Sequence, residues 1–263
     1  MKDHVWVNSR GKRLSAMVHH PDNSPQPDVV IFCHGFTGEK VGGSQLNLRL
    51  AQAIEAAGFA VIRFEYAGSG ESEGNFASDT TISGWKADLQ QVVAWVKKQP
   101  HFQDSRLYLL GQSLGGCIVF LHEDPDRLIA GRIGISPVIR PLEDFRERIL
   151  GPALWAASEA GKTISDFFGK NYSLEPSFVR DILEHKHNPL AACQSYDSPV
   201  LLIHGTADVP VPAEGSCLFY ETYAGPKELL LLEGGDHSLA QHFEKVKEKV
   251  VEWLIIQNQR RMG

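Results

Sequence analysis

An α/β fold built on a mainly parallel sheet is what this 263-residue sequence predicts, and three observations carry the prediction. Short apolar blocks without helical spacing alternate with segments whose apolar residues recur every three to four positions. Strands alternating with helices in this way imply a parallel sheet covered on both faces. One block runs straight into a glycine-flanked serine and then into a helical segment. The alternation also lapses once, between about residues 138 and 190, and then resumes.

The elements follow in chain order. Residues 4–8 and 13–19 flank Ser9-Arg10-Gly11-Lys12 and read as a β-hairpin, an antiparallel edge to the sheet. A loop with Pro21, Pro25 and Pro27 leads to residues 29–34, a β-branched apolar block that reads as a buried strand. Over residues 45–57, Leu46, Leu50, Ala53, Ile54 and Ala57 share one helical face, and Gly58 ends the helix. Residues 60–64 read as a strand. Trp85, Leu89, Val92 and Val96 align on a helix over 85–98, with Pro100 after it. Then come a strand over 106–111, a helix over 114–122 and a strand over 129–136.

Past Pro137 no buried strand is evident. Residues 142–150 and 178–185 look helical, and Phe145, Trp155, Phe167, Phe168, Tyr172 and Phe178 stand among charges. The alternation returns with a strand at 199–204, a helix near 212–223 and a strand at 228–232. In the last helix Leu239, Phe243, Val246, Val250 and Trp253 fall on one face. The organisation is therefore one core domain, 1–137 with 191–263, interrupted by a helical cap insertion at 138–190. The aromatics of that insertion either line an apolar pocket or form the insertion's own small core.

Bulk properties narrow the function. The chain is 43% hydrophobic and 22% charged, with 26 basic against 32 acidic residues and a net charge of −6. That balance, with no basic stripe, argues against nucleic acid as a partner. No apolar run reaches membrane-spanning length. The N-terminus MKDHVWVNSRGKR lacks an apolar h-region, so no signal peptide is read and a cytoplasmic location is expected. Cys33, Cys117, Cys193 and Cys217 are far apart, show no metal spacing and are read as reduced thiols.

The serine segment carries the chemistry. Gly111-Gln112-Ser113-Leu114-Gly115 has the form G-x-S-x-G at a strand-to-helix turn, where a strained backbone exposes the hydroxyl. Residues two before and two after must be small, because strand and helix nearly collide there. A serine hydroxyl needs a base, the base an orienting acid, and the oxyanion donors. In parallel sheets these gather at the carboxyl ends of strands. The strand at 199–204 is followed by Gly205-Thr206-Ala207-Asp208, and the strand at 228–232 by Gly234-Gly235-Asp236-His237. His237 is the expected base and Asp208 the acid that holds its tautomer. Asp236 adjoins His237 too closely to orient it. Asp197 precedes its strand and lies on the wrong edge. His34, His204 and His242 are read as structural or solvated. The oxyanion donors are expected to be the N–H of Leu114, at a helix start, and the N–H of Phe36, in the glycine-bearing loop His34-Gly35-Phe36-Thr37-Gly38. The glycine-rich stretch 65–74, EYAGSGESEG, has neither G-K-[ST] nor G-x-G-x-x-G and reads as a tight loop shaping the site, not a phosphate loop.

CHGFTG at 33–38, EYAGSGESEG at 65–74, GQSLGG at 111–116, HGTAD at 204–208 and GGDH at 234–237 together resemble the α/β-hydrolases over essentially the whole chain. Within that superfamily the chain most resembles small bacterial carboxylesterases of the feruloyl (cinnamoyl) esterase type. Those carry related motifs and a helical insertion over the pocket. Many relatives have Asp and Arg where this chain has Glu65 and Ala67. The resemblance implies an α/β-hydrolase fold, hydrolysis of carboxylic esters by a Ser-His-Asp triad, and no cofactor or metal. The expected partner is a small-molecule ester. Nucleic acid and membrane are not expected, and the oligomeric state is left open, a homodimer included. Rival readings are a peptidase, thioesterase or lipase on the same triad, or a catalytically silent ligand-binding homologue.

Overall fold

The computed structural model describes residues 1–22, 24–169 and 171–259. Strands β1 (Lys2–Ser9) and β2 (Lys12–His19) pair antiparallel. Arg10 and Gly11 join them with φ of 49° and 70°. Positive φ at both central residues is the hairpin turn whose twist matches its strands. Next come β3 (Val29–Cys33), α1 (Leu46–Ala56), β4 (Ala60–Phe64), the single turn α2 (Phe76–Asp79) and α3 (Ile82–Lys97). Helix α3 begins three residues before the expected start at Trp85. The Thr81 side chain accepts a hydrogen bond from the Gly84 N–H and caps the earlier turn.

Strand β5 (Leu107–Gln112) leads to α4 (Leu114–Leu121) and β6 (Ile129–Ile135). Every residue of α4 is buried, as expected for a helix that is apolar all round. Beyond it lie α5 (Pro141–Asp144), a π-helical turn (Phe145–Ile149) and α6 (Gly151–Glu159). Then come β7 (Ile164–Phe167), β8 (Tyr172–Leu174), α7 (Ser177–His185) and α8 (Pro189–Ala192). The chain finishes with β9 (Val200–Gly205), α9 (Glu214–Thr222), β10 (Lys227–Leu232) and α10 (Phe243–Gln259).

Eight strands form one sheet in the order β1-β2-β4-β3-β5-β6-β9-β10. Pairs β1/β2 and β2/β4 are antiparallel and the rest are parallel. Side chains alternate between the faces of a strand. Val29, Ile31, Cys33, Leu107 and Leu109 therefore face α3 and α4, while Val30, Phe32, Tyr108 and Leu110 face α1 and α10. The chain leaves β3 toward β4 on one side and returns to β5 on the other. That reversal opens a crevice at the carboxyl ends of β3 and β5, the place where open parallel sheets bind ligands.

Segment 138–190 is not purely helical. Strands β7 and β8 make a separate two-stranded antiparallel hairpin. They are four and three residues long, with Ser165 and Asp166 exposed between buried Ile164 and Phe167, too short for an alternating pattern to stand out in the sequence. All four cysteines are free thiols. Among the described residues no helix is long and apolar enough to cross a membrane.

Candidate active site

Ser113 sits between β5 and α4 with φ 54° and ψ −121°, a conformation that costs a non-glycine residue about 1–3 kcal/mol. Its surroundings over-determine it. The Ser113 N–H donates to Ile135 O at 3.0 Å, and Ser113 O accepts from Val138 N at 3.1 Å and Cys117 N at 3.2 Å. The flanking glycines are demanded by space. A Cβ on Gly111 would lie 2.3 Å from Gly115 O, and one on Gly115 would lie 2.3 Å from Cys33 O.

The loops after β9 and β10 are joined by their backbones. Thr206 N donates to Leu232 O (3.0 Å) and Ala207 N to Gly235 O (2.9 Å), while Gly234 N donates to the Thr206 hydroxyl (2.9 Å). A Cβ on Gly205 would meet Gly235 O at 2.2 Å, so the loops could not approach with a larger residue there. This contact brings His237 Nδ1 to 2.7 Å from Asp208 Oδ2 and His237 Nε2 to 3.0 Å from Ser113 Oγ. A carboxylate only accepts, so Nδ1 carries the proton and the Nε2 lone pair faces the serine hydroxyl.

The Asp208 side chain has no exposed surface, whereas His237 keeps 29% of its own. Burial alone would raise the Asp208 pKa, but hydrogen bonds from His204 and His237, and from the Val211 N–H (2.9 Å to Oδ1), hold it below the usual value. His204 reads from the sequence as structural or solvated. It is fully buried, and its Nε2 lies 3.2 Å from Asp208 Oδ2. Strand parity was the available signal: His204 follows Val200 and Leu202 on one face of β9, and both are core residues. The two acids set aside are occupied elsewhere. Asp236 Oδ1 accepts from Ser238 N (3.1 Å), Ser238 Oγ (2.8 Å) and Leu239 N (2.9 Å), and exposed Asp197 pairs with Arg127 at 3.4 Å.

The loop after β3 lies against Ser113: a Cβ on Gly35 would sit 3.7 Å from Ser113 Oγ. Gly38 N donates to Gly35 O at 3.0 Å, closing a turn around Phe36 and Thr37. Among the described residues neither the Phe36 N–H nor the Leu114 N–H has a hydrogen-bond partner. His34 is buried; its Nδ1–H donates to Gly35 O (2.8 Å) and its Nε2 accepts from Tyr66 N (3.3 Å). Burial lowers its pKa to about 4, so the ring stays neutral. The Phe36 ring packs against Phe145, Phe167 and Phe178 at centroid distances of 5.3, 5.6 and 5.3 Å.

The departures at 65 and 67 have local partners. Glu65 is buried and takes Lys40 Nζ on Oε2 at 3.0 Å. Ala67 N donates to Asp88 Oδ2 at 3.0 Å, and the same carboxylate binds Arg10 from the N-terminal hairpin turn at 2.8 Å. Among the described residues no group of three or more His, Cys, Asp or Glu is placed to hold a metal ion.

Residues 24–170 match the family described as serine aminopeptidase, S33 (Hydrolase_4). The chain belongs to this family. It is an α/β-hydrolase, as its motifs implied, and its relatives include esterases and thioesterases. The chain is 28% identical over 242 residues to an Escherichia coli protein, the 31.7 kDa protein of the traX-finO intergenic region, covering 80% of this chain and 82% of that one. It is 28% identical over 225 residues to the mitochondrial palmitoyl-protein thioesterase ABHD10 of Mus musculus, covering 81% of this chain and 69% of that one. Among solved structures it resembles Est1E from Butyrivibrio proteoclasticus, in a complex with ferulic acid. The TM-score is 0.81 at 25% identity, with 97% of this chain and 99% of that chain covered.

Proposed function

We propose that the protein is a serine hydrolase that cleaves carboxylic esters, with Ser113, His237 and Asp208 as its triad. The observation that carries this reading is the unbroken chain from Asp208 Oδ2 through His237 to Ser113 Oγ, at 2.7 and 3.0 Å. Ser113 Oγ attacks the ester carbonyl carbon as His237 Nε2 takes its proton. Asp208 stabilises the imidazolium. The tetrahedral oxyanion accepts from the Phe36 and Leu114 N–H groups, whose lack of other partners leaves them free for it. As the intermediate collapses, His237 returns the proton to the leaving alcohol and an acyl-Ser113 ester remains. Water then attacks that ester with His237 again as base, releasing the acid and restoring the serine.

Segment 138–190 is proposed as a cap that selects the substrate. Its Phe145, Phe167 and Phe178 pack on Phe36, the residue whose N–H serves the oxyanion, while the Phe168 ring is 51% exposed with its centroid 6.4 Å from that of Phe36. An aryl acyl group, as in feruloyl or cinnamoyl esters, is the preferred substrate on this reading, supported by the likeness to Est1E in complex with ferulic acid. A second reading, a thioesterase on the same triad, is favoured by the likeness to the mouse palmitoyl-protein thioesterase.

The test is an initial-rate panel of p-nitrophenyl esters of increasing acyl length, methyl ferulate and a palmitoyl thioester, with Ser113→Ala as control. Ester turnover lost in Ser113→Ala, highest on methyl ferulate, is the expected result. A thioester preference would select the second reading. Absence of turnover above Ser113→Ala on every substrate would overturn both.

A further inference from the structure

The proposed triad leaves one buried titratable group on its acid unaccounted for. His204 ends β9, four residues before Asp208, and neither side chain has exposed surface. His204 Nε2 lies 2.8 Å from Val211 O and 3.2 Å from Asp208 Oδ2. A carbonyl oxygen only accepts, so Nε2 carries the proton and shares it between Val211 O and the carboxylate. In the neutral ring Nδ1 is then the acceptor, and the buried Ser216 hydroxyl from α9 donates to it across 2.7 Å. Val211 closes the ring by donating its N–H to Asp208 Oδ1 at 2.9 Å. The same oxygen, Asp208 Oδ2, therefore takes N–H groups from two histidines, His204 and His237.

We infer that His204, fixed by Ser216, is a positioning residue that holds the Asp208 carboxylate toward His237 and moderates how strongly Asp208 raises the basicity of His237. This rests on the triad reading above. Three donors around one carboxylate leave it a single orientation, with Oδ1 on Val211 and Oδ2 on His237. The second imidazole draws charge from Oδ2. His237 must take a proton from Ser113 and then surrender it to the leaving alcohol, which a basicity near the working pH serves best. Without His204 the whole charge of Oδ2 would act on the His237 ring and stabilise its imidazolium more strongly. The groups acting on Asp208 are His204 from β9 and His237 from the loop after β10, with the Val211 N–H between them. Helix α9 contributes the neutral Ser216 hydroxyl.

The test is the pH profile of kcat/KM on a p-nitrophenyl ester. In His204→Leu the acid limb moves to higher pH by about half a unit, and kcat falls about tenfold with KM unchanged, since no substrate atom is touched. His204→Gln keeps an amide N–H near the position of Nε2 and returns the limb toward wild type. A role in packing alone would lower the amount of folded enzyme and leave the limb in place. A well-folded His204→Leu with the wild-type limb and kcat would overturn the inference.

The wild-type protein supplies a readout independent of folding in the leucine variant. The ring ¹⁵N signals of His204, assigned by their loss in His204→Gln, report an Nε2–H tautomer and shift as His237 titrates. Signals flat through that titration would contradict the shared oxygen. Ser113→Ala separates the two levels. Activity abolished there with an unmoved limb in His204→Leu removes only the role of His204. Activity surviving in Ser113→Ala removes the triad, and this inference with it.

Discussion

Two buried aspartates divide the molecule into its two kinds of region. Asp208, in the loops behind the sheet edge, has its pKa held below the usual value because N–H donors on three sides outweigh burial. Asp144, in segment 138–190, is pushed up to about 6 because burial outweighs the backbone N–H of Arg140 at 3.3 Å and nearby charges. The loops around Ser113 are fixed by backbone hydrogen bonds and by glycines packed within van der Waals distance of other backbone. The segment is fixed by aromatic side chains stacked on Phe36. Backbone contacts demand particular residues at particular spacings, whereas aromatic packing accepts many arrangements. The difference teaches why the loops around Ser113 are written in short motifs and the packing of segment 138–190 is not.

The largest effects test the first region. Ser113→Ala should lower ester turnover by about 10⁶-fold and Asp208→Asn by about 10⁴-fold, read as kcat on a p-nitrophenyl ester. Comparable losses at segment aromatics would erase the contrast. Stability effects come next. Phe178→Ala and Phe145→Ala, both fully buried, should each cost about 3–5 kcal/mol in denaturant unfolding. Gly115→Ala, whose Cβ would press on Cys33 O and His34 O, should cost about 3 kcal/mol. Gly161→Ala, with φ +83° but nothing within 4 Å of its Cβ, should cost only about 1 kcal/mol.

The aspartates sharpen the comparison through pH. Asp208 has a depressed folded pKa, so its stabilisation is present above the unfolded carboxylate range and is lost as pH falls through the folded value. Asp144 has a raised folded pKa, so its stabilisation is complete below about pH 4 and is lost as pH rises through about 6. Asp144→Asn should therefore stabilise the fold at pH 8 by about 2 kcal/mol, a gain that disappears below about pH 4. An equal gain at both pH values would show that ionisation is not its source. The smallest effect is at Phe168, which is half exposed. Phe168→Ala should leave stability within about 0.5 kcal/mol and raise KM for methyl ferulate a few-fold with kcat little changed.

The core was legible because β3 is an unbroken apolar block and β4, β5 and β9 are mostly apolar, with every residue of β3, β4 and β9 buried. The meeting of Ser113, Asp208 and His237 was legible because each follows a parallel strand and so opens on one edge. What escaped depended on side chains meeting across distant elements. The β7–β8 hairpin is too short for periodicity to register. His204 reads from the sequence as structural or solvated, because its partner Ser216 comes from a helix twelve positions on. Ala67 and Glu65 depart from the Arg and Asp of many relatives, but Arg10, which binds Asp88, and Lys40, which binds Glu65, lie tens of positions upstream of their partners.

One measurement tests the central claim most directly: intact-mass and peptide-level analysis after treatment with a fluorophosphonate, which phosphonylates serines activated by a base. One adduct per chain, on Ser113, is expected, with labelling lost in His237→Ala and greatly slowed in Asp208→Asn. An unlabelled Ser113 in protein that still hydrolyses esters, or labelling indifferent to His237, would contradict it.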